Sequence, residues 1–163
     1  MLAAGAVLLR PRRLQRDALF DSNAGTLKTR GCALRVRSDA GTTVLTFKGM
    51  PLPGLMKIRE EHETVVADAD ALSRVLGGLG FQVWFRYEKY REEFTAPGVV
   101  IAIDETPVGT FVEIEGDENA IITMSHALGR SEADFIRLSY RTLFVQEREA
   151  AGLEGPDMVF PGR

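Results

Sequence analysis

A single cysteine, Cys32, stands among 163 residues, which excludes an internal disulfide and any zinc cluster built on several thiolates, and agrees with a cytoplasmic protein. Histidine is almost as scarce. His62 and His126 are the only two, and neither is spaced to join a nucleophile and an acid in a triad. A basic excess is missing as well: 20 Lys and Arg stand against 23 Asp and Glu, for a net charge of −3 and a pI near 5.5. Such a surface is not that of a general nucleic-acid binder, so the arginines read as a local site. No long apolar run occurs. Met1 to Leu9 has the look of a signal-peptide core, but no basic residues precede it, Arg10, Arg12 and Arg13 follow it, and it is too short to span a bilayer. There is no low-complexity tract, and no Asp or Glu before Leu14.

The most informative pattern is a set of short segments in which every second residue is charged. Arg35 and Arg37, Arg59, Glu61 and Glu63, Lys89 and Arg91, and Glu113 and Glu115 are the clearest cases. Side chains alternate faces along a strand, so each set shares one face. Solvated sheet faces also alternate, but they do not predict sorting by sign. Here Arg35, Arg37, Lys48, Arg59, Lys89 and Arg91 are basic, and Glu61, Glu63, Glu113 and Glu115 form two acidic pairs. In a barrel covered by helices those faces would meet in a lumen able to bind a polyanion and hard divalent cations.

The length fits one domain, and 45% hydrophobic content supplies a core. Strands are expected near Leu14 to Phe20, Ala33 to Ser38, Thr43 to Lys48, Met56 to Val66, Gln82 to Thr95, Val99 to Asp104 and Thr110 to Glu115, with Gly- and Pro-containing turns between them. One helix should start after Asp68 or Asp70 and stop at Gly80, and another should run from about Asn119 to Leu128. A third should open at Ser131, with Asp134 in place of the capping-box Glu, and continue through Phe135, Leu138, Leu143 and Phe144 toward Ala150 as a face packed on a sheet. Residues 152–163 read as an irregular tail after a domain over 1–151.

A faint internal repeat is also present. Aligning Gly5 with Gly80 sets Ala4-Gly5-Ala6 on Leu79-Gly80-Phe81 and Leu19 on Phe94, with two further strands following in each unit. On this alignment the first unit lacks a leading strand and nearly all of a helix.

Taken in order, Leu14 to Asp21, Ala33-Leu-Arg-Val-Arg37, Leu45-Thr-Phe-Lys-Gly49, Lys57 to Glu63, Leu79-Gly-Phe81, Tyr87-Glu-Lys-Tyr-Arg91, Ile103 to Gly109, Phe111-Val-Glu-Ile-Glu115 and Ser139-Tyr140 resemble the CYTH domain of the triphosphate tunnel metalloenzymes. That family includes class IV adenylate cyclases, thiamine triphosphatases and inorganic triphosphatases. The resemblance implies an α+β fold, an eight-stranded antiparallel barrel with helices outside, whose interior binds a triphosphate with Mg²⁺ or Mn²⁺.

By the same resemblance, Arg35, Arg37, Lys48, Arg59, Lys89 and Arg91 would grip phosphate oxygens, the arginines through a planar fork and the lysines as point charges. Glu113 and Glu115 would take a first metal. Glu61 and Glu63, with Asp104, would help hold a second ion or orient water, so that Glu61, Glu63, Lys89 and Arg91 form the catalytic set. The implied substrate is ATP, thiamine triphosphate or tripolyphosphate, with neither nucleic acid nor membrane as partner, and the resemblance allows a homodimer. Trp84, Phe85 and Tyr87 could stack on thiamine but are more simply barrel exterior under a helix.

One departure matters. The family's first-strand signature, Glu-x-Glu-x-Lys, is absent, which matches the shortened first repeat. If that strand lies upstream, a metal-dependent triphosphatase or class IV cyclase-like enzyme is expected; for the chain as written, the alternative is a catalytically inactive triphosphate or nucleotide binder with an exposed sheet edge.

Overall fold

The computed structural model describes residues 5–162; the opening Met1 to Ala4, including the Ala4 of the repeat, and Arg163 lie outside the described residues. Seven strands form one antiparallel sheet: β1 Val7–Ser22, β2 Ala33–Asp39, β3 Thr42–Lys48, β4 Glu61–Val66, β5 Phe81–Ala96, β6 Val99–Thr106 and β7 Gly109–Gly116. Their order is β4-β3-β2-β1-β5-β6-β7. The helices are α1 Thr26–Thr29, α2 Ala69–Gly78, α3 Glu118–Ala127 and α4 Tyr140–Glu147.

The repeat is visible in this order. β1 and β5 are 16 residues each, each follows a left-handed glycine, Gly5 or Gly80, and each leads into two antiparallel strands. The two long strands pair at the centre, with register shifts around Arg10 and Arg13, where Pro11 cannot donate to the ladder. The sheet curls enough that Lys57, just ahead of β4, feels the charge of Glu113 on β7. Among the described residues, β4 and β7 each have one unpaired edge.

Two apolar clusters hold the sheet from opposite sides. On the outer face, Phe94, Val99 and Ile101 pack with Ala6 and with Met124 of α3. Gly116 is required at the turn into α3, because at φ 151 a Cβ there would sit 2.1 Å from the Gly98 carbonyl oxygen. On the inner face, Phe85 and Tyr87 pack against Phe144 of α4 and against Met158. Phe85 and Tyr87 alternate in step with Lys89 and Arg91, so they belong to the concave side and not to the exterior expected for them.

Helix starts follow the sequence well: Asp68 caps α2 by accepting from Ala71 N–H, and Asp117 caps α3. The third expected helix is broken. Ser131 and Asp134 do form their capping box, but only the 3-10 turn Glu132–Asp134 follows; Phe135 is extended, and Ser139 caps a new helix at Tyr140. Leu138 is 47% exposed and Ile136 60%, so no continuous apolar stripe forms. The tail carries no helix, yet it is docked: Met158 makes a parallel bridge to Tyr87 and exchanges backbone hydrogen bonds of 2.8 and 3.0 Å with Glu88 and Arg86, covering the edge of β5 that β6 leaves free.

Candidate functional site

Register alone brings the charged residues together. Asp17 on β1 lies opposite Arg37 on β2 and Tyr87 on β5; Arg91 lies opposite Asp104 on β6; Arg35 lies opposite Thr46 on β3, which lies opposite Glu63 on β4; Lys48 lies opposite Glu61. Ala102, two residues from Asp104, faces Glu113. Period-two alternation then sends all these side chains to the concave face.

Asp104 is the centre of one network. Its carboxylate is fully buried and accepts from Lys89 Nζ at 2.7 Å, from Arg91 Nε and Nη2 at 2.7 and 2.5 Å, and from the Tyr140 hydroxyl at 2.6 Å. Burial opposes its ionisation, but the bonds and charges of Arg91 and Lys89 outweigh that and hold its pKa down at about 2. Arg91 also pairs with Glu113, whose pKa stays below the ordinary carboxylate range because Lys89 and Arg91 outweigh its burial. Lys89 goes the other way. Burial, aided by Arg91, lowers its ammonium to about 8, even with Glu113 and Asp104 beside it.

A second network spans β1 to β4. Arg37 grips Asp17 through Nε at 2.8 Å and Nη2 at 3.3 Å. Arg35 donates to Thr46 Oγ1 at 3.1 Å, and Thr46 donates to Glu63 at 2.8 Å. The Arg35 Nε is buried without a hydrogen bond and sits 3.5 Å from Asp17. Lys48 Nζ bonds both oxygens of Glu61 at 2.7 and 2.8 Å.

Nine of the residues singled out in the sequence thus converge: Arg35, Arg37, Lys48, Glu61, Glu63, Lys89, Arg91, Asp104 and Glu113. Glu115 shares the face of Glu113 and is exposed. Arg59 precedes β4, because the strand begins at Glu61 and not near Met56. His62 points to the outer face and stacks on Phe47 at 6.4 Å, as its position between two inward glutamates requires. Among the described residues no group of three or more metal-ligating side chains gathers.

Sequence reasoning missed Asp17 and gave Tyr140 no role. The signal for Asp17 was present: Arg13, Gln15 and Asp17 are polar at every second position of β1, the same pattern that revealed Arg35 and Arg37. Tyr140 enters only because α4 lies across the concave face, where its ring packs on Tyr87 and Phe111 and beneath the Lys89 ammonium.

A Methanocaldococcus jannaschii protein named "Putative adenylate cyclase MJ0240" is 27% identical over 143 residues, covering 81% of this chain and 82% of that protein. The solved structure of PH1819 from Pyrococcus horikoshii is 26% identical with a TM-score of 0.71, over 88% of this chain and 89% of the other. A Hippeastrum protein, HpAC1, described as a "putative adenylyl cyclase" with a dominant triphosphatase activity, has the same fold with a TM-score of 0.63 at 19% identity, over 89% and 85% of the two chains. The CYTH domain family model matches residues 7–140, and the chain belongs to that family.

Proposed function

We propose that this chain is a metal-dependent enzyme acting on a triphosphate, and that hydrolysis of an inorganic or organic triphosphate is its reaction. The observation that carries the reading is the concave face, where Arg35, Arg37, Lys89 and Arg91 line one basin with Glu113 beside them. A condensed phosphate chain is the ligand class that this charge pattern suits. The acidic chain as a whole, with its cations turned into a concavity, does not suit nucleic acid.

Hydrolysis is favoured over cyclisation of ATP, the activity in the name of the M. jannaschii relative, because the aromatic faces of the basin are already occupied. Phe85 and Tyr87 are covered by α4, and Tyr140 is packed between Tyr87 and Phe111. Among the described residues the rings of Phe85, Tyr87 and Tyr140 are thus engaged with one another and with α4, so recognition rests on the phosphates.

The donor set fits a hard cation. Mg²⁺ binds through one or two carboxylates and completes its shell with water and substrate phosphate oxygens, and Glu113 and Glu115, two residues apart on β7, supply that. Asp104 does not fit, since its oxygens are engaged by Lys89, Arg91 and Tyr140. Bound at the β7 glutamates, Mg²⁺ or Mn²⁺ would neutralise charge building on the transferred phosphoryl group.

The chain's own residues do the rest. Arg35, Arg37, Lys89 and Arg91 bind and orient the phosphates, and Asp17, Asp104 and Tyr140 fix the directions of those cations. Glu61 and Glu63, on β4 across the basin, would orient an attacking water. A non-catalytic binder is the second reading, favoured by the lack of any three-ligand metal cluster among the described residues.

Phosphate release from tripolyphosphate with Mn²⁺, lost in Glu113→Ala, supports the enzyme. Thermal stabilisation by tripolyphosphate with no release supports the binder, and neither effect overturns both.

A further inference from the structure

Arg37, Lys48, Lys89 and Arg91 each donate a hydrogen bond directly to a carboxylate. Arg35 is different. Its Nη2 donates to a hydroxyl, Thr46 Oγ1, and among the described residues no carboxylate accepts a hydrogen bond from it: Asp17 stays 3.5 Å from Nε and Glu63 3.7 Å from Nη2. Register explains the arrangement. Arg35, Thr46 and Glu63 stand opposite one another on β2, β3 and β4, so one line across the sheet carries a cation, a hydroxyl and an acid. Arg35 and Glu63 are two strand spacings apart, about 9–10 Å at the backbone, a gap that their long side chains can close. Thr46 is fully buried between them. Its oxygen accepts from Arg35, and its single proton goes to Glu63 Oε2 at 2.8 Å. The hydroxyl thus stands on the path by which guanidinium and carboxylate would meet. The adjacent line shows the outcome without one: Lys48 faces Glu61, and its Nζ engages both oxygens at 2.7 and 2.8 Å.

An arginine and a carboxylate in contact form a charge-assisted, two-point pair, which satisfies both partners and leaves neither for a ligand. Resting on the triphosphate reading above, we propose that Thr46 is a positioning residue, a hydroxyl spacer that keeps Arg35 from closing on Glu63, so that the cation is left to turn to a phosphate and the acid to turn to water. Threonine suits the place. Its branched Cβ restricts χ1, which holds the oxygen on the line between the two strands, and that oxygen accepts on one side while donating on the other. Valine has nearly the same shape and does neither.

The test is binding of tripolyphosphate in chelator, read as thermal stabilisation of the full chain. Thr46→Val removes the hydroxyl, Arg35 closes on Glu63, and the tripolyphosphate concentration for half-maximal stabilisation rises by about tenfold, the equivalent of one lost charge-assisted contact. Thr46→Ser, which keeps the hydroxyl, recovers most of that loss. The decisive comparison is a double-mutant cycle. Glu63→Gln in the Thr46→Val chain takes away the charge that captures Arg35 and restores binding, whereas a role for Thr46 in packing alone predicts no recovery. The same factor for Glu63→Gln with and without the hydroxyl, or wild-type affinity in Thr46→Val, overturns the spacer and leaves the triphosphate reading standing. Should Thr46→Val not fold, the cycle of Arg35→Gln and Glu63→Gln in the otherwise unchanged chain decides. The spacer requires the two effects on affinity to multiply to within about threefold, and stronger coupling overturns it. A wild-type chain that tripolyphosphate does not stabilise overturns the reading and the spacer together.

Discussion

Arg37 and Asp17 meet in a two-point ion pair on neighbouring strands, 2.8 and 3.3 Å long, and the Asp17 side chain is completely shielded from solvent. The same carboxylate is the nearest acid to the buried, unbonded Nε of Arg35. Asp17 therefore compensates two cations that would otherwise repel each other in a low-dielectric setting. Asp17→Ala should destabilise the fold by about 3–5 kcal/mol, the usual cost of leaving a buried charge unpaired. Urea unfolding checks this; Asp17→Asn, which keeps acceptor geometry for one arginine, should lose less. A loss under about 1 kcal/mol for the alanine variant would mean that water reaches both arginines.

Asp104 and Tyr140 make a pH-dependent prediction. The folded-state pKa of Asp104 is about 2 against an ordinary 3.8. A depressed pKa means that the ionised acid stabilises the fold above the ordinary value, and that this contribution disappears as pH falls toward about 2. The stability gap between wild type and Asp104→Asn should accordingly shrink across that window. Tyr140→Phe removes the hydroxyl that donates at 2.6 Å to the carboxylate and also acts on Glu113, and should cost about 1.5–3 kcal/mol at neutral pH, as bonds to charged acceptors do. Chemical unfolding of the three proteins at several acid pH values reads both effects.

The strands were largely legible because their pattern has period two: Ala33–Asp39, Thr42–Lys48, Val99–Thr106 and Gly109–Gly116 lie within two residues of their expected bounds. The charged face was legible for the same reason, since alternation fixes which side chains travel together. What could not be read was anything set by a long-range partner. Met56 to Glu60 is extended in composition but leaves the ladder, so Arg59 is on a connection. The helix expected from Ser131 to Ala150 stops after one turn, where Phe135 turns extended and Ile136 and Leu138 stay exposed, and restarts where Phe144 reaches Phe85 and Tyr87. Phe85 and Tyr87 stand in step with Lys89 and Arg91, so their inward face was readable by alternation; what the sequence did not show is that α4 crosses the concave side and covers them.

Docking of the tail gives a further stability prediction. Met158 is fully buried among Phe85, Tyr87 and Phe144, and its backbone occupies the edge of β5. Met158→Ala should cost about 2–5 kcal/mol, the range for truncating a buried large side chain. The measurement is again urea unfolding, and a near-zero change would mean that the tail does not hold α4 in place.

Lys89 supplies the clearest functional pH dependence. Its ammonium is buried at the centre of the basin, 2.7 Å from Asp104, and burial brings its pKa down to about 8. Below that value Lys89 is charged and adds to the pull on a polyphosphate; above it the nitrogen is neutral, and the basin loses one positive charge while keeping its arginines, which stay protonated throughout. Affinity for tripolyphosphate should fall as pH rises through about 8. Lys89→Arg provides the control, because an arginine there does not titrate in that range: its affinity should be flat across the same interval, even if lower overall from crowding against Tyr140. Titration calorimetry between pH 7 and 9 separates the cases. Equal slopes for the two proteins would assign the pH dependence to the phosphate or to another group, and would remove Lys89 from the set of residues that hold the anion.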